Sequence, residues 1–182
     1  MIKDAAILEA NLRDQLTRTS DWLKFAETKN AALLTFSSAW LLAMGNLAYG
    51  SMSATEHVRV AIAWAAPFVF IAGTLAIVSI LPGIPFFRKK SPGPNLLFYD
   101  NIRSNSGKLL RDNVRARYVD GDTHSDAYLE DLATQVAINS QIASRKFRLF
   151  RWGASSTLLS IGVFFTFAYG SFLFGFVIRL FH

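Results

Sequence analysis

Three long apolar stretches dominate the pattern of hydrophobic and polar positions along the chain. They cover 31–54, 58–87 and 152–181, and charged residues occur only near their ends. Each stretch exceeds the roughly 20 residues that a helix needs to cross a hydrocarbon core of about 30 Å. Backbone groups in lipid must be satisfied within the segment, and no stretch alternates like a barrel strand. The pattern therefore predicts three transmembrane helices.

The two polar segments also predict helices. In 1–30, apolar residues recur every three or four positions, which indicates an amphipathic helix that runs without a break into the first span. The segment 88–151 begins after a proline-rich elbow at 82–94, and a helical period continues from Ser125 into the third span. The predicted fold is all-α: an integral membrane protein with three transmembrane helices and a cytoplasmic helical bundle, with helices continuous between the two.

Lys and Arg are distributed asymmetrically around the spans. Arg88 to Lys90 follow the second span and Arg145 to Arg151 precede the third, whereas the other side carries only Arg59 and Arg179. By the positive-inside rule, the N-terminus and 88–151 are expected in the cytoplasm and the C-terminus outside.

Composition disfavours most catalytic functions. The 182 residues include no cysteine and only three histidines, so disulfides and thiolate metal sites are excluded, and no nucleophile or phosphate-loop motif is present. We expect no enzyme activity, no metal and no cofactor. A membrane enzyme with a divalent metal is a weaker alternative, because its candidate carboxylates are dispersed. Those carboxylates are Asp100, Asp112, Asp120 and Asp122.

Away from their ends, the spans contain no ionisable Asp, Glu, Lys, Arg or His residue, although transporters usually have one there. A pore would therefore have to form by assembly of subunits, and a homo-oligomer is expected. Small residues of the third span are typical of close helix packing rather than of a pore lining. They are Gly153, Ala154, Ser155, Ser156, Ser160 and Gly162.

The density of basic residues in 88–151 has two interpretations. One is a solvated face attracted to anionic lipid. The other is a nucleotide site in which arginines bind phosphate and an aromatic ring stacks on the base. Asn139, Ser140 and Gln141 interrupt an amphipathic helix. Either all three are ordinary surface residues, or one of them faces inward and hydrogen-bonds a ligand or a neighbouring helix. Nucleic acid is disfavoured, since no recognised binding fold is present. The candidate ligand-binding residues are Tyr99, Arg103, Asn139, Arg145, Lys146 and Arg148.

Three runs of residues resemble a known family, the transmembrane effectors of Pycsar antiphage defence. Glu27 to Leu34 (Glu-Thr-Lys-Asn-Ala-Ala-Leu-Leu) enters the first span, and Asn95 to Ile102 (Asn-Leu-Leu-Phe-Tyr-Asp-Asn-Ile) follows the elbow. Gln141 to Arg148 (Gln-Ile-Ala-Ser-Arg-Lys-Phe-Arg) leads into the last span. The similarity extends from about Trp22 to the third span.

This resemblance implies a bacterial inner-membrane protein that senses a cyclic pyrimidine mononucleotide, cyclic UMP or cyclic CMP, made by a cognate cyclase. The resemblance also implies that such a protein, once it has sensed the nucleotide, disrupts the membrane and causes growth arrest or cell death. Related CBASS effectors respond to cyclic oligonucleotides, and the helical pattern does not separate the two. The resemblance implies no residue-level site. An alternative from another class is a membrane adaptor that docks a soluble partner without ligand gating.

Overall fold

The computed structural model describes residues 2–50, 55–81, 95–97, 102, 105–119 and 124–180. The predicted elbow at 82–94 lies outside these residues, as does Asp120. The predicted span limits at 31–54, 58–87 and 152–181 stay predictions. They cannot be read from the helices, whose ends lie at other residues.

Among these described residues the chain forms four α-helices and no strand, which confirms the all-α prediction. The helices are α1 (Ile2–Tyr49), α2 (Glu56–Ile80), α3 (Gly107–Tyr118) and α4 (His124–Leu180). Three of them, α1, α2 and α4, are long and apolar enough to cross a membrane. The 48 residues of α1 and the 57 residues of α4 each pass from polar into apolar sequence without interruption, as predicted.

The chain divides into two compact units. The polar unit consists of Met1–Phe25 and Pro82–Arg145, and the apolar unit consists of Ala26–Leu81 and Lys146–His182. Both divisions fall inside a helix, so α1 and α4 each contribute residues to both units.

In the apolar unit, α1 presents a buried stripe to its neighbours. Ala26, Asn30, Leu33, Ser37 and Met44 are all buried, at spacings of three, four or seven residues. This repeat of 3.5 residues is the period that keeps one face of a helix against its partners in left-handed packing.

The buried positions of α2 are almost all small, and they let its neighbours approach closely. They are Ala61, Ala65, Val69, Ala72, Ala76 and Ser79. Gly153 of α4 lies where three helices meet. A Cβ atom added there would lie 2.6 Å from Leu33 Cδ2 and 3.4 Å from the Ala72 carbonyl oxygen. Only glycine fits this contact without displacing a neighbour.

Uncharged hydrogen bonds connect the same helices. The Ser160 hydroxyl donates to the Ala65 carbonyl at 2.9 Å and accepts from Trp40 Nε1 at 3.2 Å. The Ser156 hydroxyl donates to the Phe68 carbonyl at 2.8 Å. These contacts confirm the predicted packing role for Gly153, Ser156 and Ser160. They do not extend it to Ser155, which is exposed, or to Gly162, where an added Cβ atom meets nothing within 4 Å.

Candidate ligand site in the polar unit

The polar unit contains a buried carboxylate, Asp131 of α4, which is 4% exposed. Its Oδ2 and Oδ1 atoms accept hydrogen bonds from Arg117 Nε and Nη2 of α3 at 2.8 and 2.9 Å. The Tyr118 hydroxyl donates to Oδ2 at 2.5 Å. A two-pronged arginine-carboxylate pair has strict geometry, so this contact sets how α3 packs on α4.

Both groups that donate to Asp131 hold their protons more firmly than usual. The pKa of Tyr118 is raised to about 12, first because burial disfavours the phenolate and then because the hydroxyl donates to Asp131. The hydrogen bond to Asp131 also raises the pKa of Arg117, although burial opposes this change. The Tyr118 hydroxyl and the Arg117 guanidinium therefore both stay protonated throughout the physiological pH range.

Asn95 attaches a short segment to this network. It is 2% exposed, and its Nδ2 donates to the Asp131 backbone carbonyl at 3.1 Å. Its Oδ1 accepts from the Leu97 amide at 2.8 Å, a local turn that asparagine side chains favour. The Leu96 amide donates to the Tyr118 hydroxyl at 3.3 Å. Residues 95–97 are thereby bound to both α3 and α4.

Aromatic contacts extend the network to α1. The rings of Tyr118 and Tyr128 meet edge to face, with centroids 5.5 Å apart. The Arg13 guanidinium lies 5.6 Å from the centroid of the Tyr128 ring, within the range of a cation-π contact. Arg13 also pairs with Glu9 at 2.8 Å, so its charge is already shared.

A second group of polar side chains, the polar row, joins α1 to α4 and consists of Ser20, Gln135 and Asn139. Gln135 Nε2 donates to Asn139 Oδ1 at 3.0 Å, and Asn139 Nδ2 donates to the Ser20 hydroxyl at 3.4 Å. Gln135 Oε1 is buried and has no hydrogen-bond partner in the described part of the chain. Such an atom typically costs about 1–3 kcal/mol. The polar row therefore has an acceptor available for a donor group.

The six predicted ligand residues are divided between the two units. Asn139 faces inward and donates a hydrogen bond to the Ser20 hydroxyl of α1. Of the two interpretations of residues 139–141, this contact favours an inward-facing side chain over an ordinary surface. Arg145 also belongs to the polar unit, whereas Lys146 and Arg148 belong to the apolar unit. Tyr99 and Arg103 lie outside the described residues. As a single ligand site, the six residues stay a prediction.

Lys146 has a partner that the sequence did not suggest. Its Nζ pairs with Glu27 Oε1 at 2.7 Å, and its side chain is only 14% exposed. Asn30, one turn further along α1, donates from Nδ2 to the Lys146 backbone carbonyl at 3.3 Å. Lys146 thus connects α1 and α4 within the apolar unit.

Sequence reasoning missed Asp131, Asn95 and Gln135. A signal was present for two of them: Tyr128, Asp131, Gln135 and Asn139 recur at three or four residues and form one helical stripe. For Asn95, the sequence offered only a polar residue after a proline-rich stretch.

The alternative of a metal enzyme gains no support from the described residues. Within them, no group of three His, Asp or Glu side chains could hold a metal ion. Asp112 is engaged by Arg111, whose Nη2 lies 2.7 Å from Asp112 Oδ1. Asp100, Asp120 and Asp122 lie outside the described range.

Fold and site together define a membrane-spanning helical protein whose two longest helices also build a second, polar unit. A family model described as the Pycsar effector protein domain matches residues 11–175. The chain is 34% identical over 151 residues to the Pycsar effector protein RsPycTM of a Rhizobium species, covering 81% of this chain and 86% of that protein. No solved structure matches at a significant level. The chain belongs to the Pycsar effector family, the transmembrane effectors of antiviral defence, which confirms the resemblance.

Proposed function

We propose that this effector senses a cyclic pyrimidine mononucleotide, cyclic UMP or cyclic CMP, with its polar unit and then disrupts the bacterial inner membrane. Growth arrest or cell death follows. One observation carries the proposal: Ser20 and Asn139, joined in the polar row, lie on α1 and α4, and the same helices supply two of the three candidate spans. A ligand that changes how these helices pack in the polar unit acts on elements that also build the apolar unit.

The chemistry of the polar row suits a pyrimidine base. Gln135 Oε1 is a buried acceptor without a partner in the described residues, and an N–H group of a base can donate to it. Uracil offers its ring N–H and cytosine its amino group. The base edge would therefore relieve an unsatisfied acceptor that the free protein has to tolerate.

The phosphate of the ligand needs a different partner. Arg145, on the same helix as Asn139, and Arg103 are the candidates among the predicted residues, with Tyr99 to stack on the base. Arginine suits this role because its planar fork matches phosphate oxygens.

The proposal includes a location and an assembly. The asymmetry of basic residues favours a cytoplasmic polar unit and N-terminus and a periplasmic or extracellular C-terminus. A cognate cyclase supplies the ligand. The effector acts as a homo-oligomer, because a single set of three uncharged spans has no charged group to line an ion path.

Purified protein in dye-loaded liposomes provides the test. Cyclic UMP or cyclic CMP is expected to bind and to release the dye. Asn139→Ala should weaken binding about tenfold, because Asn139 holds the Gln135 amide whose Oε1 accepts from the base, and loss of that hydrogen bond costs about 1.4 kcal/mol. Asn113→Ala is the matched control, because Asn113 bonds only Asn105 among the partners seen in the polar unit, at 3.5 Å.

Absence of binding and of leakage with every cyclic nucleotide would overturn the proposal. The adaptor alternative predicts that result, together with intact liposomes at all ligand concentrations. Equal loss of binding in both asparagine variants would place the site outside the polar row.

A further inference from the structure

Several arginines of the polar unit have a carboxylate partner, whereas two arginines of the apolar unit have none among the described residues. In the polar unit, four arginines have a carboxylate partner within 3 Å, and the pairs are Arg13–Glu9, Arg18–Asp14, Arg111–Asp112 and Arg117–Asp131. In the apolar unit, Arg148 and Arg151 are exposed, and no ion pair to either is found in the described parts of the chain. Their charge is available to an anion from outside the chain.

These two arginines lie within a local excess of positive charge. The stretches 26–34 and 146–152 carry four cations and one carboxylate. That carboxylate, Glu27, is already paired with Lys146. The remaining cation, Lys29, has its ammonium 5.3 Å from the centroid of the Phe150 ring. The position is the beginning of the third apolar stretch, where a helix of this kind meets lipid head groups.

The exposed face of α4 changes its chemistry in a fixed order along the helix. Arg148, Trp152, Ser155 and Leu159 are spaced by three or four residues, so they share one face, and all are exposed. Trp152 is 66% exposed and Leu159 is 50% exposed. A cation is thus followed by an indole, a hydroxyl and an aliphatic side chain. A phospholipid presents its phosphate, its ester region and its acyl chain in the same order.

We infer that Arg148 and Arg151 bind the phosphodiester head group of an anionic phospholipid whose acyl chain lies along Trp152 and Leu159. A cyclic mononucleotide carries the same phosphodiester anion. The lipid is the better occupant because the cationic positions continue directly into an exposed apolar face, which offers nothing to the sugar or the base of a nucleotide. This inference moves Arg148 from the predicted nucleotide site to the membrane surface.

Native mass spectrometry of the full chain in detergent tests the site, with phosphatidylglycerol and phosphatidylcholine as probes. In the double variant Arg148→Gln/Arg151→Gln, retention of phosphatidylglycerol should fall about thirtyfold, the equivalent of about 1 kcal/mol for each basic residue near an anionic surface. Phosphatidylcholine retention should not change. Arg13→Gln/Arg18→Gln removes the same charge from the polar unit and should retain phosphatidylglycerol as the wild type does.

Circular dichroism of both double variants checks that their helices are intact, and the exposed side chains give no reason for misfolding. If the two double variants lose phosphatidylglycerol equally, net charge alone explains the loss, and the proposed lipid site is wrong. Displacement of the lipid by cyclic UMP in the wild type, combined with loss of cyclic UMP affinity in Arg148→Gln/Arg151→Gln, would assign the residues to the nucleotide instead. The lipid measurement needs no nucleotide, so its result is independent of the proposed sensing function.

Discussion

The polar unit and the apolar unit are both built from helices, but different interactions hold those helices together. In the polar unit, a buried carboxylate binds an arginine fork and a tyrosine hydroxyl. In the apolar unit, small residues and uncharged hydrogen bonds connect the helices, and the ion pair Lys146–Glu27 lies at the start of its α4 segment. Lipid tails are as apolar as leucine and charges in lipid are costly, so spans rely on close packing rather than on ion pairs.

The largest effect is expected from Asp131→Ala in the polar unit. The change leaves the Arg117 fork and the Tyr118 hydroxyl without their acceptor, and loss of one partner from a buried pair should cost about 3 kcal/mol of unfolding free energy. Denaturant unfolding in detergent, followed by circular dichroism, measures it. The control is Asp112→Ala, since the Arg111–Asp112 pair is largely exposed, and its cost should stay below about 0.5 kcal/mol. Equal denaturant midpoints for the two variants would show that the buried network does not stabilise the fold.

Gly153→Leu should give the next largest effect, in the apolar unit. The new side chain would meet Leu33 and the Ala72 backbone, and overpacking of this kind costs about 2 kcal/mol. The same unfolding measurement applies. Gly162→Leu is the matched control on the same helix, because an added Cβ at Gly162 meets nothing within 4 Å. If the control loses as much stability, the loss does not come from helix contact.

Ser160→Ala tests the uncharged hydrogen bonds and should cost about 1 kcal/mol, the usual scale for a polar contact between helices in lipid. The variant removes the bond to the Ala65 carbonyl and leaves Trp40 Nε1 without its acceptor. A shift of the thermal midpoint and a change in tryptophan fluorescence are expected together. Ser155→Ala, at an exposed position of α4, should change neither.

The last effect appears only at high pH and concerns the polar unit alone. The pKa of Tyr118 is about 12 in the folded chain against 10.0 ordinarily, so the folded state retains the proton over that interval and the unfolded state loses it. Stability from this group is complete below pH 10 and falls as pH rises towards 12. Urea midpoints measured across this interval should decline more steeply for the wild type than for Tyr118→Phe. Parallel slopes would show that the hydroxyl does not contribute.

Much of the fold could be predicted because its signals are local. A span is recognised from its length and lack of charge, and continuity of α1 and α4 follows from an uninterrupted apolar period. The packing role of Gly153 was also predictable, since small residues within a span indicate close contact. The identity of its neighbours, Leu33 and Ala72, was not, because each lies on another helix.

The candidate site was less predictable. Arg117 was one basic residue among many until its fork met Asp131, and Asn95 reaches Asp131 across 36 positions of the chain. Asn139 was predicted as a ligand-binding residue, and this stays a prediction; its partner Ser20, 119 positions away, was not foreseen. Lys146 was predicted from its charge, although the sequence did not indicate the pairing with Glu27.

By itself, the sequence determined that this protein is an all-helical membrane protein and which family it resembles, because hydrophobic period and span length are properties of neighbouring residues. Only the tertiary structure decided which charges are neutralised and which stay available. Neutralisation of a charge depends on side chains brought together from distant helices. Burial then strengthens each pairing and makes a missing partner costly. Arg117 and Arg148 look alike in the sequence, yet one is held by a carboxylate and the other is exposed on α4.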